Sequence, residues 1–417
     1  MSIILKSAKV INAESKHNGT KQDILISEGK IQKISKSIKS SNIKEVVIKN
    51  LHVSSGWFDS SVSFGEPGFE ERETISNGGN VASKSGFTSI LLNSNTNPVV
   101  DNQTDVSFIK MKSKDLVINI HPIGALSLSS KSKELAELSD MKNSGAVAFY
   151  DYKKSIVNPN LLKTSLLYSQ TFDSVIMSYP IDNFVSNNGV MNEGLVSTFY
   201  GIKGIPNFSE EIQINRDLKI LEYTGGKLHI PTISTKESVE LIKKAKSKGL
   251  DVTCSVAIHN LIFNEDKLKD FDTRFKVSPP LRTEKDRLAL ISGVKKGIID
   301  MVTSDHSPID IENKKTDIDS ALNGTIGLES FFGALLTLFS LDETIKILTS
   351  GKNRFGINNS IIEEGCEADL SLFTTDSNYT FSKSNILSKS KNSAFLGMKM
   401  SGFPKGIIVN EKHIINE

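Results

Sequence analysis

A chain of 417 residues is long enough for one large α/β barrel with a smaller module, or for two or three ordinary domains. Its 50 basic residues nearly balance 48 acidic ones, which excludes a global field for nucleic acid or an anionic membrane and leaves small molecules or proteins as the expected partners. Cys254 and Cys366 are the only cysteines, so a disulfide scaffold and a cysteine-rich zinc module are excluded and a reducing compartment, the cytoplasm, is expected.

Met1 to Gly29 alternates short β-rich runs with charges and lacks a basic start followed by an apolar core. No apolar run reaches about 18 residues, so neither an export signal nor a membrane span is expected. Strands are predicted at Ile3 to Leu5, Ala8 to Ile11, Asp23 to Ile26 and, after a Glu28-Gly29-Lys30 turn, Ile31 to Ile34. Further short apolar strands come at Val53 to Phe58, Ser89 to Leu92, Val117 to Ile120, Ala146 to Phe149, Ser174 to Met177, Lys227 to Ile230, Asp251 to Cys254 and Ile299 to Val302. Helical patterns separate several of them; in Lys236 to Ser247, Val239, Leu241, Ile242 and Ala245 fall near one face. Eight such units predict a TIM-like (β/α)8 barrel over 53–363, with chemistry at the C-terminal strand ends. Ala368 to Phe373 and Gly406 to Val409 read as strands again, so 1–52 and 364–417 are expected to form one composite β-sandwich.

The strand ends carry motifs in a telling order: Gly56-Trp57-Phe58-Asp59, Glu66-Pro67-Gly68-Phe69-Glu70, Ser85-Gly86-Phe87-Thr88, Asn95-Thr96-Asn97-Pro98, Gly145-Ala146-Val147-Ala148-Phe149, Asn192-Glu193-Gly194, Ser278-Pro279-Pro280-Leu281-Arg282 and Asp305-His306-Ser307-Pro308. Together these resemble the dihydroorotases of multidomain-complex type, within the amidohydrolase superfamily. The resemblance implies an amidohydrolase barrel that opens a cyclic amide in pyrimidine biosynthesis with zinc-bound hydroxide. Hydantoinases and allantoinases, in the same broad group, carry a metal-bridging lysine near the end of the third or fourth strand. Ala146 to Asp151 has no lysine and ends in aspartate, which resembles the dihydroorotase subgroup.

Against that pattern the metal positions are degenerate. The His-x-His pair of the first barrel strand stands as Ser61 and Ser63, and two further histidines stand as Tyr179 and Thr232. Neutral hydroxyls replace imidazole poorly around zinc, and only the carboxylates Asp151 and Asp305 remain. No tight catalytic zinc is expected, although a hard cation such as magnesium could visit through water. The substrate side is thinned too: the carboxylate-gripping arginine is Gly65, the asparagine before Pro-Pro-Leu is Ser278 and the histidine closing Asp-His-x-Pro is Ile309, while Asn95 is retained for substrate contact. Asp305 is a residual proton shuttle or, without a metal, a structural partner; Asp151 is as readily a loop cap as a residual ligand. His229, His259 and His306 fall outside the ligand positions and read as satisfied core or rim histidines, and Cys254 as a small buried residue. The resemblance and these replacements together imply an inactive or impaired dihydroorotase homologue that forms a homodimer and acts as a structural or regulatory partner of aspartate carbamoyltransferase. The alternative is an active dihydroorotase with a reduced metal set around Asp151 and Asp305.

Overall fold

The computed structural model describes residues 2–40 and 42–416. Both chain ends contribute to one eight-stranded sheet. Its N-terminal strands are β1 (Ser2–Val10), β2 (Lys21–Ser27), β3 (Lys30–Ser35), β4 (Lys44–Val46) and β5 (His52–Ser55). The two runs predicted inside β1 are one strand interrupted by a bulge: Ser7 adopts φ 50 and the register against β2 shifts between Leu5 and Ala8.

The barrel comes next as β6 (Trp57–Val62), β7 (Phe87–Leu92), β8 (Asn119–Gly124), β9 (Ala148–Phe149) and β10 (Val175–Met177). A short parallel pair, β11 (Met191–Asn192) and β12 (Gly204–Ile205), forms an excursion. The barrel then resumes with β13 (Lys227–Ile230), β14 (Val252–Ala257) and β15 (Met301–Thr303). Its eight strands run parallel in the order β15-β14-β13-β10-β9-β8-β7-β6. Closure comes where Val62 bridges to His306 and Ser63 N donates to His306 O at 2.8 Å. Among the described residues no helix is long and apolar enough to cross a membrane.

The remaining strands, β16 (Asp369–Thr380), β17 (Lys399–Val409) and β18 (Lys412–Ile415), complete the sheet of the chain ends, because β5 pairs antiparallel with β16 and parallel with β1. The strand expected over Val53 to Phe58 is therefore two, and the boundary falls at Gly56, not at residue 53. The apolar run hides the break. A Cβ at Gly56 would lie 2.0 Å from Thr88 Oγ1 and 2.1 Å from Asp369 Oδ1, so only glycine lets β5 and β6 part company between barrel and sheet. Trp57, fully buried, seals the same junction against Phe87, Phe332 and Phe373, and its indole nitrogen donates to Ser54 Oγ at 2.9 Å. Gly56→Ala is expected to lose about 2 kcal/mol. A urea midpoint unchanged by the substitution would show that the junction yields.

Candidate functional site

The C-terminal strand ends collect the polar residues. Alternation along β6 turns Asp59, Ser61 and, just beyond, Ser63 to one side. Asp59 is spent on closing the barrel: it accepts from Thr303 Oγ1, from Ser304 N at 3.1 Å and from Ser61 N at 3.2 Å, and burial pushes its carboxyl up to about 6. Ser61 Oγ donates to Asp305 Oδ1 at 3.3 Å, and Asn93, at the end of β7, donates its amide to Ser61 Oγ and Ser63 Oγ, both at 3.2 Å. Tyr179, after β10, shares a 2.6 Å hydrogen bond with Ser278 Oγ, and burial holds its phenol well above its ordinary value. Thr232, after β13, leaves its buried hydroxyl without a protein partner.

Asp151 does not join this group. Its carboxylate accepts from Leu126 N and Ser127 N, each at 3.0 Å, and from Ser127 Oγ at 2.5 Å, so it caps the loop after β8. Of the two surviving carboxylates, only Asp305 is at the mouth. The two residues after Asp151 take the inward place. Tyr152 buries a phenol without a hydrogen-bond partner, and Lys153 Nζ donates to Asp305 Oδ2 at 2.7 Å, 5.3 Å from the centre of the Tyr152 ring. Burial alone would depress the Lys153 amine, but the Asp305 carboxylate reverses this and holds it well above its ordinary value. Three non-glycine residues here have left-handed backbone, Lys153 (φ 52), Thr232 (φ 52) and Asp305 (φ 48), at roughly 1 kcal/mol or more each.

The histidines divide. His229 lies within β13 and is bonded to Thr253 Oγ1 (2.9 Å) and Ser255 Oγ (3.3 Å), a satisfied core residue. His306 is only half satisfied: Nδ1 accepts from Gly327 N and Leu328 N, which puts the proton of the neutral ring on Nε2, and Nε2 has no partner. His259 departs from the expectation of a satisfied histidine: neither ring nitrogen has a partner, Nε2 stands 4.0 Å from Asp305 Oδ2, and burial pushes it down to about 3. Cys254 is buried with its thiol pushed far up, unsuited to a nucleophile. Asn95 is only partly buried, and none of the hydrogen bonds at Asp305 runs through it. At Gly65 (φ 150) a Cβ would meet Phe69 O at 2.4 Å, so the loop has closed over the place an arginine would need. Ile309 is buried, and its backbone N donates to Asn392 Oδ1 at 3.1 Å.

A family model described as dihydro-orotase-like matches residues 52–238. A protein named dihydroorotase from Acetivibrio thermocellus is 36% identical, over 100% of this chain and 99% of its own length. One from Caldicellulosiruptor saccharolyticus is 38% identical, over 98% and 97%. This chain belongs to the dihydroorotase family. Solved structures give the same fold: an L-hydantoinase from Arthrobacter aurescens superposes with TM-score 0.85 at 22% identity, covering 99% of this chain and 96% of its own. A D-hydantoinase from Thermus sp. gives 0.82 at 18%, covering 99% and 95%.

A catalytic zinc does not fit the mouth of this dihydroorotase homologue. Among the described residues no three His, Cys, Asp or Glu side chains gather to hold a metal ion. The inward donors are the hydroxyls of Ser61, Ser63, Tyr152, Tyr179 and Thr232 and one imidazole, His259, and the single carboxylate, Asp305, already holds an ammonium, so one nitrogen ligand stands where a zinc site needs several. Tyr152 and Lys153 carry no signal in the sequence because β9 is only two residues long, too short for its alternation to say which of the next residues turns inward.

Proposed function

We propose that this dihydroorotase homologue does not open dihydroorotate by metal-bound hydroxide, and that it serves pyrimidine biosynthesis as a structural or regulatory partner, with aspartate carbamoyltransferase the partner that the family resemblance suggests. The observation that carries the loss of hydrolysis is the Lys153 ammonium on Asp305: it occupies the carboxylate that a metal or a proton shuttle would need. Without a metal hydroxide the barrel has no water activated at neutral pH, and without an arginine at position 65 it has no fork for the substrate carboxylate. The expected result, on one purified sample with zinc added and withheld, is no stoichiometric metal and no turnover of dihydroorotate. Metal-dependent turnover that Asp305→Ala abolishes would overturn the proposal. For the partnership, the chain should co-purify with aspartate carbamoyltransferase, and that enzyme's assembly should fail when this chain is deleted.

A second reading is supported by the unpartnered His259 nitrogens, Tyr152 phenol and Thr232 hydroxyl, all buried: a small polar ligand held without hydrolysis. A saturable rise in Tm with dihydroorotate or N-carbamoyl-aspartate, in the absence of turnover, would favour it.

A further inference from the structure

We infer that Lys153 is a tethered cation that stands structurally in the place of a metal ion at Asp305, tying opposite walls of the barrel so that the mouth keeps its shape with no divalent ion. The inference rests on the reading of a non-hydrolytic mouth, but it is tested through stability.

Metal ions in such barrels bind side chains from several strands at once, and Lys153 does the same with one covalent anchor. It follows β9, the fourth strand of the barrel, and reaches across 152 positions to Asp305, which follows β15, the eighth. The two strands lie across the barrel from each other. Asp305 is 2% exposed, and among the described residues its only other side-chain donor is the neutral hydroxyl of Ser61. A buried carboxylate with a neutral partner alone is costly, and His259, at 4.0 Å and outside hydrogen-bond range, is a neutral ring that does not balance the charge. The ammonium supplies the missing positive charge at 2.7 Å. Its reach is built in two ways: Lys153 N donates to the Tyr150 hydroxyl at 3.0 Å, and the left-handed turn at Lys153 faces a second left-handed turn at Asp305. Strain at both ends of one ion pair marks a geometry that the surroundings enforce. A dication attracted to Asp305 has first to expel an ammonium that cannot diffuse away.

The test is a double-mutant cycle in thermal unfolding with Lys153→Met, Asp305→Asn and both together. Lys153→Met leaves a buried carboxylate unpaired and is expected to lower Tm by roughly 5 °C or more. The double variant, which removes both charges, should lose clearly less than the sum of the two singles. Lys153→Ala should regain part of its Tm with methylammonium chloride, saturably and not with equal sodium chloride, and Asp305→Asn in the same background should abolish the gain. Wild-type Tm should be unmoved by zinc or by a chelator. Additive single effects, or a wild-type Tm that rises with zinc through Asp305, would overturn the inference. If Lys153→Met does not fold, a folded double variant supports the pair and an unfolded one counts against it. Zinc-dependent turnover alongside a coupled cycle would sink the functional proposal and leave the tether; an additive cycle without turnover would do the reverse.

Discussion

Arg282→Met is expected to remove about 3–5 kcal/mol of stability and to loosen residues 191–205. The guanidinium is buried and works as the hub between the excursion and the barrel. Its Nε donates to Ser234 Oγ at 3.0 Å, and its Nη1 donates to Asn192 Oδ1 at 3.0 Å and to Ile205 O at 2.6 Å. Nη2 stands 3.8 Å from Glu210 Oε2. Glu210 is completely buried and accepts from Ser234 N, Thr235 N and Ser238 Oγ, at the start of the helix Lys236–Ser247. Removing the arginine therefore strands one carboxylate and frees β11 and β12 together. Urea unfolding gives the magnitude, and hydrogen exchange over 191–205 locates it. A variant within about 1 kcal/mol of wild type would show that the short strands hold themselves.

Mild acid is expected to destabilise the chain steeply. Burial pushes His229 and His259 down to about 3 and His121 and His306 to about 4, whereas the unfolded chain binds those protons near pH 6.5. A depressed histidine contributes stability that is whole above pH 6.5 and lost as pH falls toward the folded value. Each costs about 1.4 kcal/mol per pH unit in that window. Asp59 acts in the opposite sense: raised to about 6, it binds its proton in the folded state first and so loses stability as pH rises from about 4 to 6. Burial raises Asp151, Asp217 and Asp305 in the same sense as Asp59, so the histidines dominate near pH 6, with a slope of roughly 3 kcal/mol per pH unit, and the slope flattens toward pH 5 as the carboxyls oppose them. His259→Gln should flatten that slope by about one histidine's share. Urea midpoints that do not change between pH 7 and 5 would refute the burial argument.

The barrel was legible in the sequence because its strands are apolar runs of the right length between helical patterns, and seven of the eight begin within a few residues of where they were expected. The first breaks at Gly56, where the chain changes sheet, and hydropathy does not register that change. Ser61, Ser63, Tyr179 and Thr232 are single positions inside motifs, so the resemblance could point to them, and Ser61 does bond to Asp305 and Tyr179 to Ser278. For Asp151 the sequence leaves cap and ligand both open, and Lys153 carries no signal. Asp151 caps a loop, and Lys153, after a strand of only two residues, finds its partner 152 positions away. Which charged residue goes inside is decided by tertiary proximity, and no local pattern encodes it.

The shared sheet also has a consequence in time. Trp57 N donates to Ser371 Oγ across 314 positions, and β5, just before it, cannot gain β16 until that late strand exists. At the usual pace of translation the early strands wait on the order of tens of seconds with an open edge. The open edge of the N-terminal strands is thus exposed for as long as the intervening barrel takes to be made, and the yield of this protein is expected to depend on how fast that barrel is translated.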